Sequence, residues 1–148
     1  MSSGPSPSVR CLMSDLFRHL GKKVRFLGCV TFYNTQTGWV TLEHNYHGRI
    51  YTAYVDAKLI LESLQHDHVD VGQWVHVVGY VNSAELMSPH APSEGRSRFT
   101  VRVQALVLWT AEDLDISAYE KTFERTVAFN RVADLEDPST SSSTQPVE

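Results

Sequence analysis

The stretch GKKVRFLGCVTFY, residues 21–33, decides how this chain folds. Apolar side chains recur in it at alternating positions: Val24, Phe26, Val30 and Phe32. This alternation predicts a strand with one buried face. Gly28 interrupts the series, and a glycine inside a strand is typical of a bulge or a bend. A long first strand that bends at its middle can belong to both halves of a small closed barrel.

Four further strands follow, which we predict over residues 39–44, 49–55, 73–81 and 98–109. The last has the clearest period of two, and its apolar series predicts that Val107 lies on the buried face. A helix is expected over residues 57–64, where Ile60, Leu61 and Leu64 form one apolar side.

A terminal helix is expected over residues 117–132, because Ser117 and Glu120 have the spacing of a capping box. Five antiparallel strands with a helix between the third and the fourth is the order of the OB-fold, a Greek-key barrel. The predicted class is therefore all-β with flanking helices. Another kind of small barrel is the alternative.

The length of 148 residues suits one domain, which we place at residues 10–132. Residues 1–9 and 133–148 are poor in apolar side chains and are expected to be disordered tails. Residues 82–97 read as a long Pro/Ser-rich loop. Residues 1–109 carry 10 Lys/Arg and 8 Asp/Glu, whereas residues 110–148 carry 3 and 9, so the acidity is concentrated at the end.

Several classes of protein fit this sequence poorly. No apolar run reaches the ~18 residues of a membrane span, so we expect no membrane partner. Two cysteines make neither a disulfide framework nor a metal site, and they favour a reducing compartment. His66, Asp67, His68 and Asp70 lack further ligands at recognisable spacing. Common catalytic signatures are missing. We therefore expect no metal, no cofactor, no small-molecule substrate and no enzymatic activity.

An OB-fold binds ligands on the face of its second and third strands and on two adjoining loops. Aromatic and basic residues on those elements fit the way in which such folds hold single-stranded nucleic acid, by base stacking and phosphate contacts. The candidate nucleic-acid-binding residues are Trp39, Tyr46, Arg49, Tyr51, Arg96 and Arg98, with Lys22 and Lys23 as a further basic cluster. Packing of the aromatic rings inside the barrel is the competing interpretation.

Four segments, read together, resemble a known family. They are KVRFLGCV at residues 23–30, LEHNY at 42–46, VDAKLILESL at 55–64 and VGQWVHVVGYV at 71–81. Their order and spacing are similar to those of the fungal-type Ten-one family, the smallest subunit of the CST (Cdc–Stn–Ten) telomere-capping complex. The similarity covers roughly residues 12–109, so it is more specific than a short motif. Residues 82–97 and the two tails have no counterpart in the family pattern.

The resemblance implies an OB-fold that pairs with a Stn-type OB-fold partner, and a larger Cdc-type subunit as a further partner. It also implies protection of telomeric single-stranded DNA in the nucleus. In the family the terminal helix contributes to pairing, which implies partner-binding roles for Tyr119, Phe123 and Val127. Two alternatives stay open: an independent single-stranded nucleic-acid-binding OB domain, and a barrel-fold hydrolase.

Overall fold

The computed structural model describes residues 7–86 and 96–124. The strands are β1 (Val9–Arg10), β2 (Lys23–Asn34), β3 (Trp39–Tyr46), β4 (Arg49–Asp56), β5 (Trp74–Leu86) and β6 (Arg96–Thr110). Three 3₁₀ helices span Met13–His19, Lys58–Ile60 and His66–Val69. An α-helix, α1, covers residues 116–124. The chain divides into two compact units after Asp113, so α1 belongs to the second unit. None of the described helices has the length and apolar character of a membrane span.

Strands β2 to β6 close a barrel, and β2 takes part in both of its halves. The first half of β2 pairs with β5, the second half pairs with β3, and Cys29 lies opposite both Glu43 and Trp74. The order across the sheet is β1-β2-β3-β4-β6-β5, with the β2–β5 pairing closing the ring. Strands β4 and β6 pair in parallel, and the other barrel pairings are antiparallel. This topology confirms the predicted OB-fold, but the expectation that all five strands pair antiparallel is wrong for β4 and β6.

Gly28 lies where β2 passes from β5 to β3, as the bend prediction requires. A Cβ atom at this position would come within 2.9 Å of the Leu42 Cβ and 2.5 Å of the Met13 Cε. Leu42 and Met13 both belong to the core, so a larger residue would displace packed side chains. Gly79 on β5 is constrained in a similar way, because an added Cβ would collide with the backbone carbonyl of Gln104.

The core lies inside the barrel. All five strands from β2 to β6 contribute buried side chains to it, and so does the segment that precedes β2. Val24, Phe26 and Val30 of β2 are fully buried. The 3₁₀ helix Met13–His19 precedes the first long strand. Its Leu16 is fully buried and belongs to the same cluster. The composition predicts that Val9 belongs to the N-terminal tail, but it lies in β1 and pairs with Val24.

Two bulges reverse the alternation that the sequence predicted. The β2–β3 register shifts between Val30 and Phe32, so Phe32 points outward and is 57% exposed. The β5–β6 register shifts as well, and Val107 is 49% exposed whereas Leu108 is buried. The predicted inward positions of Phe32 and Val107 are therefore wrong. An extra residue on one strand exchanges the two faces beyond it, which alternation alone does not reveal.

The connection between β4 and β5 is helical but shorter than residues 57–64. The Ile60 and Ser63 amides donate to carbonyls three residues earlier, which is the 3₁₀ pattern. Ile60 and Leu64 pack against the core, but Leu61 is 43% exposed and does not join them on one apolar side. A second 3₁₀ helix, His66–Val69, follows in the same connection and buries Val69.

The β5 and β6 strands extend into the segment predicted as a loop at residues 82–97. Glu85 pairs with Thr100, and Leu86 pairs with Phe99. These residues have modest strand propensity, but each strand supplies the other's hydrogen-bonding partners, so pairing overrides composition. Residues 87–95 and the tail 133–148 lie outside the described residues.

Candidate nucleic-acid interface

The outer face of the barrel carries a row of side chains that crosses four strands. Phe32 of β2 lies opposite Thr41 of β3, and Thr41 lies opposite Tyr54 of β4. Tyr54 in turn lies opposite Arg102 of β6. With strands about 4.8 Å apart, the row spans about 14 Å. Trp39 lies on the same face, two residues before Thr41. We call Phe32, Trp39, Tyr54 and Arg102 the aromatic face.

The neighbouring residues of each strand show that the aromatic face points away from the core. Val40 and Leu42 flank Thr41 and are fully buried, as are Ala53 and Val55 on either side of Tyr54. Successive residues of a strand point to opposite faces. Tyr54 is 38% exposed. An open pocket of about 330 Å³ lies on this face, lined by Trp39, Tyr54 and Arg102.

A lysine positions the tryptophan ring of the aromatic face. The Lys58 Nζ lies 5.4 Å from the centre of the Trp39 ring, within the range of a cation–π interaction. The same Nζ is 3.7 Å from the Asp56 Oδ2. Asp56 also accepts a hydrogen bond from the Lys58 backbone amide at 3.0 Å. The carboxylate therefore holds the start of the 3₁₀ helix and its lysine against the ring.

This arrangement has the chemistry of a surface that binds single-stranded nucleic acid. Flat aromatic rings offer stacking surfaces to unpaired bases at ~1–3 kcal/mol per base, whatever the base. A guanidinium and an ammonium group beside the rings can contact phosphates. The aromatic face presents three rings and few polar groups that could distinguish one base from another, so it suits binding of nucleic acid with little sequence preference.

The described part of the second unit contains one helix with a pair of aromatic rings. Asp115 caps this helix through its Oδ1, which accepts a hydrogen bond from the Ala118 amide at 3.1 Å. The cap is thus Asp115, and the predicted capping box at Ser117 is wrong. The Tyr119 and Phe123 rings lie 5.0 Å apart, one helical turn from each other.

A family model described as "Telomere capping, CST complex subunit" matches residues 1–124. The chain belongs to the Ten1 family. The resemblance drawn from the four sequence segments is thereby confirmed. No curated protein matches the sequence closely enough to count as a relative.

Solved structures share the fold of this chain. A chain of the S. pombe Stn1–Ten1 complex has a TM-score of 0.59 at 17% identity, covering 84% of this chain and 96% of its own. The S. pombe telomere capping protein Ten1 has a TM-score of 0.58 at 17% identity, covering 82% and 99%. A chain of U. maydis replication protein A bound to single-stranded DNA has a TM-score of 0.55 at 16% identity, covering 87% and 97%. At these identities the likeness shows the fold alone.

Within this Ten1-family chain, the structure separates the predicted residues of the β3–β4 hairpin. Trp39 belongs to the aromatic face. Tyr46 and Arg49 pair at the opposite end of the hairpin, about 23 Å from Trp39 along β3. Tyr51 packs against the core, and its partner across the strands is the buried His44. Trp39 is therefore not brought together with the other three residues.

The remaining predicted residues lie on other elements. Lys22 is exposed just before β2, and Lys23 begins that strand opposite Tyr80 of β5. Arg96 and Arg98 lie within β6 rather than in a loop, and Arg96 is opposite Ile50 of β4. Val127 lies outside the described residues.

Phe32, Tyr54, Lys58 and Arg102 are the residues of this site that the sequence reasoning missed. Tyr54 lies between the buried Ala53 and Val55, so alternation marked it as outward-facing. Alternation likewise predicts that Arg102 faces outward, because it lies between the buried Val101 and Val103. Its place beside Tyr54 depends on the parallel β4–β6 pairing. Phe32 carried no such signal, because only the bulge turns it outward.

The two thiols of the chain are poor nucleophiles in this fold. Burial, with a smaller contribution from Asp15, raises the pKa of Cys11 to about 12. Burial and then Glu43 raise the pKa of Cys29. Both thiols stay protonated near neutral pH, and the thiolate is the reactive form. Among the described residues, no three His, Cys, Asp or Glu side chains are grouped as metal ligands would be.

Proposed function

We propose that this chain is a non-catalytic subunit of a telomere-capping complex and binds single-stranded telomeric DNA on its aromatic face. Membership of the Ten1 family supports the telomeric role and a nuclear location at chromosome ends. The aromatic face carries the DNA-binding part of the proposal. Three rings and an arginine stand on one outer surface, at the position where OB-folds bind oligonucleotides. A solved relative in fold, replication protein A, is itself described as bound to single-stranded DNA.

Binding to the isolated chain should be weak and sensitive to salt. The aromatic face and its supporting lysine supply two cations, Arg102 and Lys58. Two phosphate contacts on a single strand correspond to a slope of roughly −1.4 in log affinity against log salt. Stacking supplies the larger share of the free energy. A partner that adds its own surface would raise the affinity without changing this face.

The test of the DNA-binding proposal compares two tyrosines of one hairpin. We expect Tyr54→Ala to weaken binding of a fluorescein-labelled oligothymidylate by ~1–3 kcal/mol, which is about 5- to 150-fold in Kd. Fluorescence anisotropy at low salt measures the change. Tyr46→Ala is the matched control, because Tyr46 lies at the far end of the hairpin. Equal losses of affinity in both variants would show that the binding site is not the aromatic face.

The partner of the complex is proposed to be a Stn-type OB-fold subunit that packs on the terminal helix. The S. pombe complex of Stn1 and Ten1 supports such pairing for a protein of this fold. Tyr119 and Phe123 form a contiguous aromatic surface on the helix, and buried aromatic pairs are frequent hot spots of interfaces. Val127 is proposed to extend this surface by one more turn. A larger Cdc-type subunit is proposed as a third component.

An independent nucleic-acid-binding OB domain is the second candidate function. The observation that favours it is that one chain supplies all four residues of the aromatic face. An independent binder remains monomeric and reaches full affinity without a partner. A subunit gains affinity when the Stn-type partner is co-expressed. Sedimentation of the chain with and without that partner, together with anisotropy, separates the two functions.

The proposal of a non-catalytic role rests on the chemistry of the described side chains. The protonated thiols offer no ready nucleophile. Of the two carboxylates near the aromatic face, Asp56 lies opposite Trp39 and is paired with Lys58, whereas Glu43 lies four residues further along β3, so the two do not converge. Hydrolysis of a phosphodiester by carboxylates needs a convergent cluster of them. A loss of oligonucleotide that depends on added divalent metal would overturn this part.

A further inference from the structure

The positive charge of the barrel lies mainly outside the aromatic face. The strands β1, β2, β5 and β6 contain one acidic residue, Glu85, and six Lys/Arg, of which five lie outside the aromatic face and one, Arg102, belongs to it. The hairpin of β3 and β4 contains one arginine and two acidic residues. A nucleic-acid strand carries one negative phosphate charge per nucleotide, and phosphate contacts dominate its affinity for proteins. These β-strands therefore offer nucleic acid more positive charge than the aromatic face does.

Cations and rings are interleaved on the outer surface of these strands. Arg10 of β1 lies beside Arg25 of β2 in the parallel pair. The guanidinium carbon of Arg25 is 5.2 Å from the centre of the Trp109 ring, and the His76 ring stacks on Trp109 at 5.1 Å. Burial, then Arg25 and then Arg10 lower the pKa of His76, which agrees with both guanidinium groups lying near that ring.

A tyrosine links this cluster to the start of β2. Tyr80 of β5 is 40% exposed and lies opposite Lys23 of β2. On its other side it lies opposite Gln104 of β6. We call Arg10, Lys23, Arg25, Tyr80 and Trp109 the cationic face.

The cationic face is an outer surface, as the buried neighbours of its members show. Val24 and Phe26 flank Arg25 and are fully buried, and Val81 follows Tyr80 into the core. The bulge near Ala105 turns Val107 outward, and Trp109 shares its side of β6. Without that bulge, Trp109 would alternate into the barrel.

The two faces adjoin across β6. Trp39 lies opposite Asp56, Asp56 lies opposite Gln104, and Gln104 lies opposite Tyr80. Three strand spacings of about 4.8 Å separate Trp39 from Tyr80, which is about 14 Å. A single-stranded nucleic acid that leaves the aromatic face over β6 therefore reaches the cationic face within a few nucleotides.

We propose that a single-stranded nucleic acid bound on the aromatic face continues over β6 onto the cationic face, where Arg10, Lys23 and Arg25 contact its phosphates and Tyr80 offers a ring to a base. This inference rests on the proposed function of the aromatic face. The near-absence of acidic residues from these strands favours a polyanion over a protein surface of mixed charge. Contacts over both faces fall within the ~4–16 nucleotides that one OB-fold covers.

The test measures how affinity depends on the length of the oligonucleotide, with the full 148-residue chain. Labelled oligothymidylates of about 4 and about 18 nucleotides are titrated by anisotropy over roughly 50–200 mM salt, so that the short strand matches the lower end of the OB-fold range and the long strand exceeds its upper end. The wild type should bind the long strand more tightly and with a steeper salt slope. The variant Lys23→Glu with Arg25→Glu should remove at least two phosphate contacts. Its slope for the long strand should fall by about 1.4, roughly a sevenfold smaller change in Kd across the fourfold salt range.

Two further variants keep the result interpretable. Arg18→Glu with Lys121→Glu makes the same change in net charge at two exposed residues that are not members of the cationic face, and it should leave the slope unchanged. Tyr80→Ala keeps every charge and should weaken the long strand about 5- to 150-fold while sparing the short one.

The outcomes separate this inference from the function on which it rests. Unchanged long-strand binding by both cationic-face variants, with the short strand still bound, overturns the extension alone. An equal slope change in the charge control overturns it as well, since the effect is then non-specific. Failure of the wild type to bind either strand overturns the aromatic face too.

Discussion

The substitution Phe32→Ala tests whether the bulge in β2 really turns this ring outward. Strict alternation from Val24 through Val30 would bury Phe32, and a buried Phe→Ala change costs about 3–5 kcal/mol of stability. In the structure the side chain is 57% exposed. Less than half of a burial free energy of about 3 kcal/mol is then lost, so the expected cost is about 1 kcal/mol.

Equilibrium urea unfolding distinguishes these two magnitudes. With a slope of about 2 kcal/mol/M, a loss of 1 kcal/mol lowers the unfolding midpoint by about 0.5 M, and a loss of 4 kcal/mol lowers it by about 2 M. Phe26→Ala is the matched control, because Phe26 is the same residue type on the same strand and is fully buried. It should show the larger shift.

The same variant has a functional consequence. Removal of an outward ring from the aromatic face should cost ~1–3 kcal/mol of single-strand affinity while the fold survives. Phe26→Ala at a concentration of folded protein matched to the wild type should bind normally. A destabilisation of Phe32→Ala as large as that of Phe26→Ala would refute the bulge and, with it, the composition of the aromatic face.

Two further predictions concern His76 and the terminal helix. Because the folded state lowers the pKa of His76 from its ordinary 6.5, first by burial and then through Arg25 and Arg10, the unfolded chain binds its proton more tightly. The stability that the neutral ring contributes is full above pH 6.5 and is lost as pH falls towards the lowered value. Urea midpoints between pH 7.5 and pH 5 should therefore fall more for the wild type than for His76→Gln, and parallel curves would contradict this. Phe123→Glu should abolish co-purification with a Stn-type partner, at a cost of about 2 kcal/mol or more, while circular dichroism of the barrel stays unchanged, and an intact complex would show that the ring lies outside the interface.

Local sequence pattern was sufficient for the architecture. Alternating apolar residues in five segments predicted five strands, and Gly28 predicted the bend that lets β2 serve both halves of the barrel. These signals are strong because they depend only on near neighbours: a strand exchanges faces at every residue, and a glycine is needed wherever a Cβ would meet packed atoms.

The functional surface depended on pairing between distant parts of the chain. Tyr54 meets Arg102 only because β4 and β6 lie side by side in parallel, although 48 residues separate the two side chains. Phe32 and Trp109 face outward only because each follows an extra residue opposite a partner strand, and alternation within one strand is blind to its partner. The apolar rhythm of the sequence thus determined that a barrel forms. Which rings and charges stand together on its outside was decided by strand register, a property of pairs of strands that no single segment contains.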